Sequence, residues 1–228
     1  MYFDYYYLVL IVPCIILSMF AQAKVTSTFN KYLKLNSIKG FTGAQTARRI
    51  LDLNGLHDVT IECIQGNLTD HYDPTKKVVR LSNDVYHGTS VSSIGVAAHE
   101  TGHAIQHSVA YGPLKIRTSI FPLVNFSSRL AVPLAILGLI LGIGTLIYAG
   151  IALFAAVVFF QLITLPVEFN ASKRATTILE DTGVLIDEEI PACKKVLGAA
   201  ALTYLASALT SIMSLLRLIL IANSRRDR

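Results

Sequence analysis

The longest apolar run of this chain restricts its fold more than any other feature. Residues 130–167 are almost uninterrupted apolar sequence. One helix of that length would extend about 57 Å, whereas the hydrocarbon core of a bilayer is roughly 30 Å thick. Two antiparallel membrane helices over 129–167 remove this mismatch. The pattern favours a turn near Tyr148-Ala149-Gly150, with Gly142 and Gly144 as further candidates.

Two other apolar segments predict one more membrane helix near each end of the chain. Residues 1–23 form an anchor with a cluster of tyrosines and without the basic start of a cleaved signal peptide. Residues 196–222 form a fourth span, followed by a basic tail over 223–228. The composition agrees, because 53% hydrophobic and only 15% charged residues are typical of a membrane protein.

The net charge of +5 does not predict a nucleic-acid partner. The basic residues neither form a run nor alternate with aromatic residues. Their placement instead fits the cytoplasmic bias of Lys and Arg in membrane proteins. We therefore expect the lipid bilayer, and no nucleic acid, as a partner.

Residues 24–128 are more polar and predict a small α+β domain inserted after the first membrane helix. Thr42 and Gln45 form a capping-box pattern that opens a helix. Alternating apolar residues predict strands at 59–64 and 77–81, with an extended stretch at 67–72 between them. The predicted fold class is thus an α+β membrane protein with about four transmembrane helices.

The segment His99-Glu100-Thr101-Gly102-His103 carries the chemistry of this polar section. Thr89 or Ser90 is a suitable N-cap for a helix that contains it. Positions four apart share one helix face, so the two imidazoles can hold one metal ion. Glu100 lies beside them, where it can take a proton from an attacking water. H-E-x-x-H on a helix, with a third ligand, is the signature of zinc metallopeptidases.

The third ligand has two possible sources. The extension H-E-x-x-H-x-x-G-x-x-H is excluded, because Gln106 stands at its glycine position and Val109 at its histidine position. His107 lies about 80° around the helix from His99 and is the weaker alternative. Glu168 is favoured, because a carboxylate at the end of an apolar helix is costly unless a partner neutralises it. The hairpin also returns Glu168 to the side of the polar section.

These residues resemble those of two groups of membrane metalloproteases. H-E-x-x-H followed by a later ligand Glu resembles the gluzincins of the HtpX and CAAX-processing type. Most of the chain is more similar to the YugP-type membrane neutral zinc metallopeptidases. The similar stretches are Thr42-Gly43-Ala44, Arg48-Arg49-Ile50-Leu51, Asp70-His71-Tyr72-Asp73-Pro74, Gly95-Val96-Ala97-Ala98-His99-Glu100 and Leu165-Pro166-Val167-Glu168-Phe169.

The resemblance implies a zinc-dependent endopeptidase of the bacterial cell membrane. It implies a gluzincin-like catalytic domain at 24–128 and one Zn²⁺ held by His99, His103 and Glu168. Glu100 would be the catalytic residue. The segment 168–195 would supply the third-ligand helix and a loop. Ser172 replaces the Asp that follows the ligand Glu in the HtpX pattern, so Ser172 or Asn170 is expected to orient a metal histidine.

The expected reaction is hydrolysis of peptide bonds in membrane or membrane-proximal proteins. The extended stretch 67–72 is a candidate edge for pairing with a substrate backbone. Candidate donors to the developing oxyanion are His71, Tyr72, His87 and Arg174. Two alternatives remain open: an intramembrane protease of the site-2 type, and a non-catalytic zinc-binding membrane scaffold.

The distribution of basic residues predicts that the active site faces the cytoplasm. Twelve of the 20 Lys and Arg residues lie in 24–129 and four in 173–195. With four spans, both termini then lie on the opposite side of the membrane. Tags placed at each end of the chain should therefore be cleaved by protease added outside intact cells. Protection of both tags would reverse the predicted orientation.

Overall fold

The structure, a computed structural model, describes residues 5–226 and is mostly helical. A π-helical turn, Tyr7–Ile11, leads into the first α-helix. The helices are α1 (Val12–Leu33), α2 (Gly43–Leu53), α3 (Asn83–Tyr86), α4 (Val91–Ser108), α5 (Gly112–Leu141), α6 (Gly144–Asp181) and α7 (Ile190–Arg226). The strands are β1 (Thr60–Ile64), β2 (His71–Asp73) and β3 (Val78–Ser82).

Four of these helices are long and apolar enough to cross a membrane, which is the number predicted from the sequence. They cover Tyr7–Leu33, Gly112–Leu141, Gly144–Asp181 and Ile190–Ser224. Each extends beyond its apolar stretch. The residues after 167 therefore continue α6 as far as Asp181 and do not begin a separate helix. The predicted basic tail, 223–228, lies partly in α7 and partly outside the described residues.

The turn between α5 and α6 is at Gly142–Ile143, so the favoured position near 148–150 was wrong and the further candidate Gly142 is confirmed. Gly142 has a φ of +70°, a backbone conformation that glycine adopts without the steric cost of a Cβ. Gly150 lies inside α6 and has a different structural role. A Cβ there would lie 2.6 Å from the backbone oxygen of Ala131, so Gly150 permits the close packing of α5 on α6.

The described chain forms two compact units. The apolar unit contains Lys115–Pro166, Thr203–Arg228 and the residues up to Ala21. The polar unit contains Gln22–Leu114 and Val167–Leu202. The functional boundaries expected from the sequence, such as a catalytic domain at 24–128, remain predictions.

The polar unit contains a three-stranded sheet in the order β1-β3-β2. Strand β1 is parallel to β3, and β2 pairs with β3 in an antiparallel hairpin. The central strand β3 is buried through Val78, Val79 and Leu81. Strand β2 has only three residues, shorter than the predicted stretch 67–72, and Leu68 just before it has a φ of +56°.

Helix α4 begins where the sequence predicted. The Ser90 side chain caps it by accepting a hydrogen bond from the Ser93 backbone N–H at 3.0 Å. The capping box of α2 is also formed, with Gln45 N–H donating to Thr42 Oγ1 at 3.1 Å. Small side chains then let α4 lie deep in the polar unit, where Ala97 and others are fully buried.

Within the polar unit, Gly102 of α4 packs directly against the backbone of α6. A Cβ at Gly102 would lie 2.8 Å from the Ala171 carbonyl oxygen and 3.3 Å from its Cα. The neighbour is backbone, which has little freedom to move away. The close approach of these two helices therefore requires glycine at this position.

We predict that Gly102→Ala destabilises the protein. Alanine favours a helix over glycine by about 1 kcal/mol, but overpacking against a backbone typically costs about 1–3 kcal/mol. Thermal unfolding in detergent should show a lower Tm for the variant. Gly198→Ala in α7 is the matched control, because a Cβ there meets no atom within 4 Å. Equal or higher stability of Gly102→Ala would contradict the close packing.

Candidate metal centre

Two elements of the polar unit build the candidate metal centre. Helix α4 carries His99 and His103 one turn apart, with their ring centroids 4.8 Å from each other. Helix α6 carries Glu168, whose side chain is almost completely buried. The Glu168 carboxylate is thus removed from water and lies beside two imidazoles. The sequence predicted this position for it.

The distances between the three side chains fit a shared cation. Glu168 Oε2 lies 3.3 Å from His99 Nε2 and 3.5 Å from His103 Nε2. All three potential ligand atoms lie within 4.8 Å of one another. Zinc bonds of about 2.0–2.1 Å in a tetrahedral arrangement place neighbouring ligand atoms about 3.3–3.4 Å apart. Two nitrogens and one carboxylate oxygen are also a donor set that suits catalytic zinc.

Hydrogen bonds at the far nitrogens orient both imidazoles. Ser172 Oγ lies 3.1 Å from His99 Nδ1. Gln106 Oε1 lies 3.0 Å from His103 Nδ1. These contacts leave both Nε2 atoms directed towards Glu168. Partners of this kind fix the tautomer and ring orientation of metal-binding histidines.

Sequence reasoning found one of these two partners and missed the other. Ser172 was named as a candidate, whereas Asn170 contacts Gln106 and Arg174. In the sequence, Gln106 only stands where the extended motif has glycine, and it is not predicted to contact a histidine. Its position three residues after His103 on one helix was the signal that could have identified it.

The centre carries negative charge that favours a cation. Burial lowers the pKa of His103, but the hydrogen bond with Glu168 and the charges of Glu100 and Glu168 raise it more, so the net direction is upward. Burial also raises the pKa of Asp70, and the nearby charge of Glu100 adds to that increase. A divalent ion at the same position would be stabilised by the same carboxylates.

Glu100 lies on α4 between the two histidines and is only 8% exposed. It follows His99 directly and precedes His103 by three residues, so the helix holds all three side chains in a fixed relation. The charge of its carboxylate raises the pKa of His103.

The remaining predicted candidates are engaged in other contacts. Tyr72 Oη lies 2.9 Å from His107 Nδ1, and burial with two nearby carboxylates raises the pKa of Tyr72 to about 12. Among the described residues, the group able to hold a metal does not include His107. His71 Nδ1 contacts the Thr69 carbonyl oxygen, and the His87 ring packs on Tyr86.

A cavity of about 260 Å³ lies beside α4, on the face that carries Ala104 and His107. Tyr72 of β2 also lines it, so it adjoins the edge strand. The rest of the lining is apolar, apart from Ser108 and the ion pair between Lys77 and Asp58.

Comparison with known proteins agrees with this geometry. A model of the family described as "Putative neutral zinc metallopeptidase" matches residues 7–223. The chain belongs to this family. It is 56% identical over 211 residues to the "Putative membrane protease YugP" of Bacillus subtilis (strain 168), covering 92% of this chain and 94% of that protein. No solved structure matches the chain significantly.

We predict that replacement of Glu168 removes stoichiometric zinc. Glu168→Gln keeps the shape of the side chain but not the charge that attracts the ion. Purified protein should contain about one zinc per chain, and the variant far less, when metal is measured by elemental analysis. His107→Ala is the control and should retain zinc. Loss of zinc from His107→Ala, with retention in Glu168→Gln, would reassign the third ligand.

Proposed function

We propose that this protein is a membrane-embedded, zinc-dependent endopeptidase. The observation that supports it is the convergence of His99, His103 and Glu168, with Glu100 on the same helical turn as the histidines. The family and the relative carry names of the same kind. This ligand set, two histidines and a distant Glu, is that of a gluzincin.

The chemistry follows from the position of each side chain. His99, His103 and Glu168 would hold the zinc, which when bound polarises the scissile carbonyl and lowers the pKa of water. Glu100 takes the proton of the attacking water and later delivers it to the leaving amine. The burial of Glu100 limits competition from bulk solvent for that proton.

The proposed substrates are membrane or membrane-proximal polypeptides. In the sheet order β1-β3-β2, one side of β2 has no strand partner among the described residues. An extended substrate could pair with that edge through its main chain. Such pairing imposes little sequence selectivity. Proximity to the bilayer, provided by the four membrane helices, would then select the substrate.

Two alternatives are less well supported. An intramembrane protease of the site-2 type carries its motif on a membrane helix, whereas α4 is not one of the four candidate spans. A non-catalytic scaffold would use zinc only for folding. Such a site needs no buried carboxylate between the two histidines. The buried Glu100 occupies that position, which favours a catalytic site.

We predict that Glu100→Gln abolishes proteolysis and retains zinc. The amide keeps the shape of the side chain but accepts no proton, and general bases typically contribute about 10²–10⁴-fold to rate. Cleavage of an unstructured membrane-tethered reporter should fall by about that factor in reconstituted vesicles. The zinc content, measured on the same samples, should not change.

Glu180→Gln is the matched control, because Glu180 is an exposed acid on α6. It should cleave the reporter at the wild-type rate. Equal cleavage by wild type and Glu100→Gln would exclude Glu100 as the base. Absence of cleavage by the zinc-loaded wild type, with every reporter tested, would favour the scaffold.

A further inference from the structure

Gln106 links the two helices that carry the proposed ligands. Its side chain is completely buried. The carboxamide oxygen lies 3.0 Å from His103 Nδ1. The carboxamide nitrogen donates to the Val167 carbonyl oxygen at 2.8 Å and to Asn170 Oδ1 at 3.0 Å. One side chain thus contacts a metal histidine and the backbone next to Glu168.

The chemistry of these partners leaves Gln106 a single orientation. The Val167 carbonyl only accepts hydrogen bonds, so the amide nitrogen must face it. The amide oxygen then faces His103 and only accepts. His103 Nδ1 must therefore carry a hydrogen, so in the neutral ring the lone pair is on Nε2 and is available for a metal. The contact between Gln106 and the Val167 carbonyl of α6 therefore fixes the His103 tautomer that can bind zinc.

The contacts of Asn170 require the same orientation of the Gln106 carboxamide. Arg174 Nε donates to Asn170 Oδ1 at 2.8 Å, and arginine donates but never accepts. Asn170 must therefore present its oxygen to Gln106 as well. Asn170 Oδ1 thus accepts from both Arg174 and Gln106, and Gln106 Oε1 accepts from His103. By contrast, the Ser172 hydroxyl at His99 can rotate and serve as donor or acceptor.

We propose that Gln106 is a positioning residue that sets the His103 tautomer and holds the Glu168 segment of α6 against the metal helix. This inference rests on the proposed metal site. It differs from the simpler view that His103 needs any acceptor at Nδ1. The donor half of the carboxamide is what joins the two ligand-bearing helices.

Two substitutions separate these views. Gln106→Met removes both halves of the carboxamide at similar volume. Gln106→Glu retains an acceptor for His103 but directs an oxygen at the Val167 carbonyl and Asn170 Oδ1. Loss of a partner of this type typically weakens metal binding by about 10–100-fold. We expect both variants to lose zinc affinity in that range.

The measurements are zinc affinity by chelator competition and the visible spectrum of the Co²⁺-substituted full-length protein. The spectrum reports ligand geometry, which a purely structural loss of stability does not alter in folded protein. Thr101→Val is the matched control, because Thr101 is equally buried on α4 and bonds only within its own helix. It should keep the wild-type affinity and spectrum.

Wild-type affinity and spectrum in Gln106→Met would overturn the proposal. Tight binding by Gln106→Glu alone would show that only the acceptor matters, which would also overturn it. If Gln106→Met does not fold, Asn170→Ala, at a half-buried position, tests the same link and should weaken zinc binding to a smaller degree. Failure of the wild type to bind zinc would instead reject the proposed function.

Discussion

The neutralisation of one buried carboxylate is the interaction on which the polar unit depends. Removal of a charged group from water costs several kcal/mol unless opposite charge or good hydrogen bonds offset it. Glu168 is 3% exposed and has two imidazole nitrogens at 3.3 and 3.5 Å. The same arrangement that makes this burial tolerable is suited to a divalent cation. Stability and the candidate chemistry therefore have a common origin.

Several features of the polar unit maintain that arrangement. Gly102 allows α4 to approach the backbone of α6, and Gln106 joins the two helices by hydrogen bonds. Ser90 caps the start of α4, the helix that places His99 and His103 one turn apart. A substitution that displaced α4 from α6 would move His99 and His103 relative to Glu168. A shift of about 1 Å is large for a metal site, where bond lengths vary by only about 0.2 Å.

Membership of a zinc metallopeptidase family and the observed group of ligands agree with one another, and they rest on independent grounds. Family membership follows from similarity along the chain. The ligand group follows from the placement of three side chains. Neither family membership nor the ligand group shows that a reaction takes place. The proposal of catalysis therefore rests on Glu100.

The sequence by itself determined the four apolar helices, the caps of α2 and α4, and the pairing of His99 with His103. These depend on local spacing and hydropathy, which a linear chain displays directly. It also indicated Glu168, because an acid at the end of an apolar helix needs a partner. Only the tertiary structure decided the turn at Gly142, the extent of α6 and the role of Gln106. Each depends on which backbone atoms approach from another helix, and a single sequence does not contain those distances.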